Sequence, residues 1–542
     1  MSKNIDFEIT TYDYKTPDYS TWRFPYNYHY LYILENGKDV YIGETNDIIV
    51  RTKQHHTKDD HCYKFNFSRI HVITGKHMEE TPAKHYERLL VKLMEIDGKF
   101  DIRNRKQGEK TFYRRKNEFE LGFDNLWPKL ADINLVSHKQ FQAILNRPEY
   151  KYSPYTSLTD GQIATLTNIV NAIHTSDSQR NRNAGSRPIL IEGDAGTGKT
   201  VIASSLFYHL KSNPNFAGKN IGLVYSNTAT RNALKNTFRC VSKDLGKHIL
   251  RPIDVTKKHY DIIICDETHR LRRNKNLGMY VTHFRNGNAR VGLDDTCDEL
   301  DWLLKNSDCL VLLYDKQQIA SPSDIPSDIF SQRLDINECG TRPVELQDQM
   351  RIRAGAEYVP YIHAVLNQKT VDPKRFDNYD FKLFLSFSDM IHELRKKEET
   401  MGLSRVCSGY AWKWSAKNSP ETPDISIDGI DIWWNTQTSG WLDNPQTKNE
   451  MGSIYSLPGL DLNYAAVVIG PDLYFDTATN KIQVKKKRFF DNKVKRNSTD
   501  EELKQFVINT YGVLLTRGIY GTYVYVCDDA LRSYLKKFIP TI

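Results

Sequence analysis

From Pro188 to Ala203 the chain reads PILIEGDAGTGKTVIA, an apolar strand running through a glycine-rich turn into the start of a helix. The turn has the full GxxxxGK[ST] spacing: Gly193, Asp194, Ala195, Gly196, Thr197, Gly198, Lys199, Thr200. Glycines at these positions let backbone N–H groups converge on phosphate oxygens without a Cβ in the way. The helix N-terminus adds partial positive charge. Lys199 is placed to neutralise β- and γ-phosphates, and the Thr200 hydroxyl to ligate Mg²⁺. Such a loop constrains the whole chain, because it needs a parallel sheet behind it.

Asp261-Ile-Ile-Ile-Cys-Asp-Glu-Thr-His269 supplies the matching strand, apolar throughout and ending in two carboxylates. Asp266 is expected to hold Mg²⁺ and Glu267 to polarise the attacking water. Further short apolar strands, Pro188–Glu192, Ile221–Tyr225 and Cys309–Asp315, alternate with helical patterns and predict helices on both faces of a parallel sheet. A second alternating set is read near Ile454–Gly470 and Tyr511–Val526. Lys481–Arg496 reads as a basic exposed hairpin or loop.

A chain of 542 residues predicts roughly three or four domains. No apolar run reaches the ~18 residues that span a bilayer, and the N-terminus lacks a signal pattern, so a cytoplasmic protein without membrane contact is expected. Eight cysteines are scattered without a CxxC pair, so neither a disulfide framework nor a zinc knuckle is indicated. His55, His56, His61 and Cys62 fit no closed tetrahedral spacing. The formal charge of +8 suits a polyanionic partner without demanding one.

The ordered motifs resemble superfamily 1 helicases, and most closely the Schlafen group 3-like helicase family, over roughly residues 155–540. The resemblance implies two RecA-like lobes, 159–345 and 346–542, closing on ATP. It implies that Gln162 reads adenine and that Asp266-Glu267-Thr-His269-Arg270 is the second motif. Asp315-Lys-Gln-Gln318 resembles the γ-phosphate-sensing motif, with Tyr314 where glycine is usual. Arg351 and Arg517 match phosphate-contacting arginines, and Asp461 stands in the fifth motif. There Tyr455, Pro458 and Asp461 replace the family's His, Gln and Glu. Trp412 and Trp414 are read as core in preference to base-stacking residues.

Upstream, YHYLYILENGKDVYIG from Tyr28 to Gly43 is a hairpin pattern around Asn36-Gly37, followed by helices near Thr45–His56 and Pro82–Ile96. This region resembles a GIY-YIG nuclease domain, with a degenerate first motif at Tyr30-Leu31-Tyr32 and an intact Tyr41-Ile42-Gly43. The resemblance implies Tyr32 as base or water-orienting group with Tyr41 beside it, Arg51 and His55 at the scissile phosphate, and Glu87 holding Mg²⁺ or Mn²⁺. Asn104 stands where the family has a later asparagine. The basic stretch Arg103–Lys116 could follow a phosphate backbone or form a solvated helix face.

The expected organisation is therefore α/β. An arm (1–24) leads to a GIY-YIG-like domain (25–124), a connector (125–158) and two motor lobes. The expected function is an ATP-dependent nucleic-acid motor carrying an endonuclease, DNA favoured over RNA, in bacterial nucleic-acid processing or anti-phage defence with partner proteins. Two rivals stand beside it: an ATP-switched nucleic-acid-binding regulator that does not cut, and a protein-remodelling or signalling ATPase that never touches nucleic acid.

Overall fold

The computed structural model describes residues 6–24, 29–76, 78–104, 116–137, 139, 141–145, 147, 150, 153, 158–178, 187–242, 244–334, 344–346, 349, 352–414, 421–437, 441–442, 444–457 and 461–542. The chain forms two compact units, Met1–Tyr150 and Lys151–Ile542.

The first unit is a five-stranded sheet in the order β1-β4-β2-β3-β5, built from β1 (Phe7–Asp13), β2 (Tyr30–Glu35), β3 (Asp39–Thr45), β4 (Arg69–Gly75) and β5 (Asp101–Ile102). Neighbours run antiparallel except β3 and β5. The β2–β3 turn is fixed by Asn36 Oδ1, which accepts the N–H of Lys38 (3.0 Å) and of Asp39 (2.7 Å), and by Gly37 at φ +87°. Helix α1 (Ile48–His55) begins where Asp47 accepts the N–H groups of Ile49 and Val50. Helix α2 (Glu80–Asp97) ends at Gly98, left-handed at φ +74°.

β2 is buried on both faces. Leu31 and Ile33 join α2 residues Leu90, Leu93 and Met94, whereas Tyr30, Tyr32 and Leu34 join Ile48, Cys62 and Phe67. The pleat thus delivers Tyr32 to the side of the sheet that carries α1.

Two expected boundaries give way. The polar arm contains β1, an edge strand paired to β4 through its whole length, and Phe7 packs edge-on to Tyr86 at 5.4 Å. An edge strand shows water one face, so its outward Glu8 and Thr10 make it read as unstructured. The expected connector 125–158 holds the C-terminal part of α3 (Lys116–Asp132) and all of α4 (Phe141–Leu145). From that stretch Leu126, Trp127, Leu130, Leu135 and Ile144 lie in the first unit's core. Pro128 removes one helical hydrogen bond, but the buried neighbours on both sides outweigh that loss.

The second unit carries two parallel sheets. The first, in the order β11-β6-β10-β9-β7-β8, comprises β6 (Arg187–Gly193), β7 (Ile221–Tyr225), β8 (Ile249–Leu250), β9 (Tyr260–Asp266), β10 (Ser307–Tyr314) and β11 (Val344–Leu346). All its pairings are parallel. Ile191, Ile264 and Val311 point to one face, against α5 (Asp160–Ser178), α6 (Lys199–Ser212) and α7 (Thr228–Val241). Leu190, Ile263 and Leu312 point to the other, where α8 (Glu299–Lys305) supplies Leu300 and Leu303. Burial on both faces is why these strands read as continuous apolar runs.

The second sheet, in the order β12-β20-β17-β13-β16, comprises β12 (Asp380–Leu383), β13 (Ser404–Ser408), β16 (Met451–Gly452), β17 (Leu462–Ile469) and β20 (Gly518–Val526). Two hairpins flank it, β14 (Ile425–Ile427) with β15 (Ile430–Ile432), and β18 (Leu473–Asp476) with β19 (Lys481–Val484). In the stretch read as Tyr511–Val526, the strand β20 begins at Gly518. Tyr511 belongs to helix α9 (Asp500–Leu515), which starts in a capping box between Thr499 and Glu502. That helix is buried almost all round at its C-terminal end, and an apolar run of that length does not distinguish helix from strand.

Candidate functional site

The loop from Gly193 to Thr200 leaves the C-terminal end of β6 and closes with Gly196 at φ +91° and Gly198 at φ +81°. A side chain at Gly193 would meet Thr197 Oγ1 at 2.6 Å, and one at Gly196 would meet Gln349 Oε1 at 2.1 Å. Lys199 Nζ donates to the carbonyls of Gly193 (2.5 Å) and Asp194 (2.8 Å) and lies 3.2 Å from Asp315 Oδ2. Thr200 Oγ1 donates to Asp266 Oδ2 at 2.5 Å. The other Asp266 oxygen is buried and has no hydrogen-bond partner at bonding distance among the described residues. A carboxylate oxygen left over beside a hydroxyl is the donor set that a hard divalent cation takes.

Burial pushes the Asp266 carboxyl up from the usual carboxylate range, and the Thr200 hydrogen bond only partly opposes this. Glu267 is also pushed up, by burial first and by Asp266 second, while Arg270, Arg517 and Lys199 pull it back. A carboxylate with raised proton affinity is better suited to accept a proton from water. Its backbone stands in the left-handed region, φ +49°, a conformation that costs a non-glycine residue energy. Burial opposes ionisation of Asp315 too, but Lys199 and a 2.7 Å bond from Gln318 Nε2 outweigh it and hold the carboxyl low. Buried His269 is held neutral by burial and by Arg270.

The second lobe reaches the same residues. Arg517 is 7% exposed, and its charge acts on both Glu267 and His269, as does that of Lys199. The backbone carbonyl of Arg517 accepts the N–H of Leu462 at 3.0 Å, which sets buried Asp461 next to it at the start of β17. Gln349, just beyond β11, donates from Nε2 to the carbonyl of Ala195 (2.9 Å) and accepts at Oε1 from the N–H of Ile352 (3.2 Å). It ties the loop to the segment entering the second lobe.

The first unit holds a separate polar cluster. Tyr32 OH lies 2.8 Å from His55 Nε2, and Arg51 Nε donates to the same oxygen at 3.2 Å. His55 Nδ1 lies 2.9 Å from Asp60 Oδ1, which also accepts the N–H of Cys62 at 2.8 Å. Gly43 makes room for this arrangement, since a Cβ there would stand 2.3 Å from the Tyr32 ring. Glu87, half-buried on α2, has its carboxyl raised to about 7 by burial and by the charge of Glu44, against Arg51 and Lys84. Asn104 brackets Ile42, accepting its N–H (3.1 Å) and donating to its carbonyl (2.7 Å).

The Schlafen group 3, DNA/RNA helicase domain matches residues 186–528. The chain belongs to this family. An uncharacterized protein of Saccharomyces cerevisiae, YPL245W, is 27% identical over 393 residues, which is 64% of this chain and 83% of the relative. Among solved structures, the helicase nonstructural protein 10 of an arterivirus is similar at 11% identity and a TM-score of 0.29, over 68% of this chain and 64% of that one. The chain thus spans slightly less than two thirds of that helicase's length. A structure of two Pif1 helicases coordinating on forked duplex DNA is similar at 12% identity and a TM-score of 0.27, over 71% of this chain and 95% of that one.

The helicase-like domain therefore accounts for both parallel sheets, and among the described residues no helix is long and apolar enough to cross a membrane. Within it, Lys199, Thr200, Asp266, Glu267, Asp315, Gln318 and Arg517 are brought close together. Gln162 is buried and engaged in a reciprocal cap with Thr159 at the start of α5. Arg351, Pro458 and Gly459 lie outside the described residues, as do 105–115 of the basic stretch. Arg103 is committed to Asp39 (2.5 Å) and Asp101 (3.0 Å). Trp412 and Trp414 pack against a core cluster of the second lobe. The basic run from Lys481 becomes β19, a turn at Lys486–Arg488 and a short helix at Asn492–Arg496.

Sequence reasoning did not single out Gln349, Asp60 or Glu44. Each acts on a motif residue from a different element, and no spacing rule links them to it.

Proposed function

We propose that this protein is an ATP-driven nucleic-acid motor whose N-terminal unit is a GIY-YIG endonuclease, with DNA favoured over RNA. The observation that carries the motor reading is the convergence of Lys199, Thr200, Asp266 and Glu267 with Arg517 on one cleft. Lys199 and Arg517 would neutralise charge on the transferring phosphoryl group from opposite lobes, so lobe closure would follow the nucleotide. Thr200 and Asp266 would hold Mg²⁺, which supplies charge neutralisation across the β- and γ-phosphates. Glu267 orients the attacking water and draws off its proton.

In the first unit, Arg51 supports the nuclease reading by presenting a guanidinium beside Tyr32, in reach of a phosphate that enters there. Glu87 would hold Mg²⁺ or Mn²⁺. Gln162 would read adenine, Asp461 and Arg351 would respond to nucleotide from the second lobe, and partner proteins of a processing or defence system would direct the activity in the cytoplasm. The yeast relative shows that similar chains are not confined to bacteria.

The test is incubation of wild type, Lys199→Ala and Glu87→Ala with labelled DNA and RNA, with Mg²⁺ or Mn²⁺ and with or without ATP. Metal-dependent cut products that disappear only in Glu87→Ala, and ATP turnover that disappears only in Lys199→Ala, are expected. ATP turnover stimulated by nucleic acid without any cut product would favour a non-cleaving regulator. Turnover indifferent to every nucleic acid would favour a protein-remodelling ATPase.

A further inference from the structure

We infer that Asp60 is a positioning residue of the N-terminal site: it fixes the His55 tautomer so that the imidazole takes the proton of Tyr32. The inference rests on the nuclease reading above and adds to it the direction in which the proton moves.

With a neutral imidazole, the hydrogen-bond pattern leaves one consistent arrangement. Asp60 Oδ1, 2.9 Å from His55 Nδ1, can only accept when ionised, so Nδ1 carries the proton. A neutral imidazole then has a lone pair at Nε2, 2.8 Å from Tyr32 OH. Arg51 Nε can only donate, and it points at the same phenol oxygen from 3.2 Å. Tyr32 must therefore receive from Arg51 and give its proton to His55. Each group in the chain Asp60–His55–Tyr32 has a single role compatible with its neighbours.

The electrostatics agree. Burial holds His55 low despite Asp60, which keeps the ring neutral and ready to accept. Burial opposes ionisation of Asp60 as well, but its hydrogen bonds from His55 and the Cys62 N–H outweigh that and keep it charged. Tyr32 is pushed well above its ordinary value, by burial first and Tyr41 second, so a lasting phenolate is disfavoured. The phenol therefore works as a relay. As a water proton reaches the Tyr32 oxygen, the Tyr32 proton passes to His55 Nε2. The water oxygen bonds to phosphorus, the phosphorus–ester oxygen bond breaks, and the leaving oxygen takes a proton from solvent. The imidazolium, paired with Asp60, releases its extra proton to solvent. The other groups facing His55 are Tyr41, whose ring is 5.4 Å away edge-on, Arg51, His56 and Cys62.

A rival use of the same atoms exists. The ligand atoms of His55, Asp60 and Cys62 lie within 4.8 Å of one another and could hold a metal ion. Metal at Nδ1 would force the proton onto Nε2 and reverse the Tyr32–His55 bond, so the two uses exclude each other.

The test uses the full chain labelled with ring-¹⁵N histidine, with the His55 signals identified by their loss in His55→Asn. Nitrogen shifts of an Nδ1–H tautomer are expected, together with zinc-free protein. At saturating Mg²⁺, Asp60→Asn should lower the nicking rate about 10²-fold. It should also move the acid limb of the pH–rate profile to lower pH, and Asp60→Glu should recover part of both. A purely structural Asp60 would cost rate without moving the limb, and that result would overturn the inference. So would an Nε2–H tautomer, or stoichiometric zinc lost on Cys62→Ser. A wild-type chain that nicks no substrate would sink the nuclease reading and the proton path with it. An Nε2–H tautomer in a chain that does nick would sink the path alone.

Discussion

Lys199 sits among two carbonyls and a carboxylate, whereas Tyr32 sits between a guanidinium and an imidazole. In the helicase-like domain the site is built from carboxylates and cations around a neutral His269. Lys199, Asp266, Glu267, Asp315 and Arg517 compensate one another, and Arg517 of the second lobe lowers the proton affinity of Glu267. In the first unit the buried centre is a neutral phenol and a neutral ring, with charge held at the margins by Arg51, Asp60 and Glu87. A site of mutually dependent charges suits a reaction gated by domain closure. A site of neutral groups wired in series suits one that only passes a proton.

The sharpest way to break this contrast is to remove one charge from each side. Lys199→Ala should lower ATP turnover by on the order of 10³-fold or more while leaving nicking intact, measured by phosphate release and by gel. Loss of both activities together would show that the two sites are not separable. Arg517→Ala should reduce kcat by on the order of 10³-fold with little change in nucleotide affinity, since its contact is made as charge develops on the phosphoryl group. An effect confined to KM would place Arg517 in ground-state binding and remove the interlobe argument. For the first unit, Glu87→Ala should cost about 10²-fold or more in metal-dependent nicking with ATP turnover unchanged. Equal loss in ATP turnover would contradict the independence of the neutral site.

The two regions also differ in how much could be read from sequence. The phosphate loop is eight contiguous residues with their strand and helix attached, so residue type and local conformation were legible together. Asp266 and Glu267 were legible because the end of a parallel strand is where a carboxylate can meet that loop. Tyr32, Arg51, His55 and Glu87 come from β2, α1 and α2, and only a family resemblance connects them. Asp60 was not legible, because it caps the short turn at His61–Phe65 and reaches His55 only once the chain has folded back. Gln349 escaped for the same reason, since its partner Ala195 is distant in sequence and is met through a backbone carbonyl. The arm and connector were misjudged because polar outward faces and prolines resemble linkers when the packed face is hidden.

The smallest expected effect separates the sites by pH. The Glu87 carboxyl is raised to about 7 by burial and by Glu44, so it is largely protonated at pH 6 and largely ionised at pH 8. Only the ionised form holds a divalent cation. At limiting Mg²⁺, nicking should therefore rise about tenfold over that range, following the ionised fraction. Higher Mg²⁺ should move the midpoint to lower pH, because metal binding competes with the proton. The same shift acts on stability with the opposite sign. A carboxyl whose folded value is raised contributes stability that is full below its ordinary value and is lost as pH rises through about 7. Without metal, the first unit should thus unfold at a lower temperature at pH 8 than at pH 6, and saturating Mg²⁺ should narrow that gap. A metal midpoint that ignores pH, or a melting temperature that rises with it, would mean that Glu87 is already ionised at pH 6 and that burial and Glu44 do not raise its carboxyl.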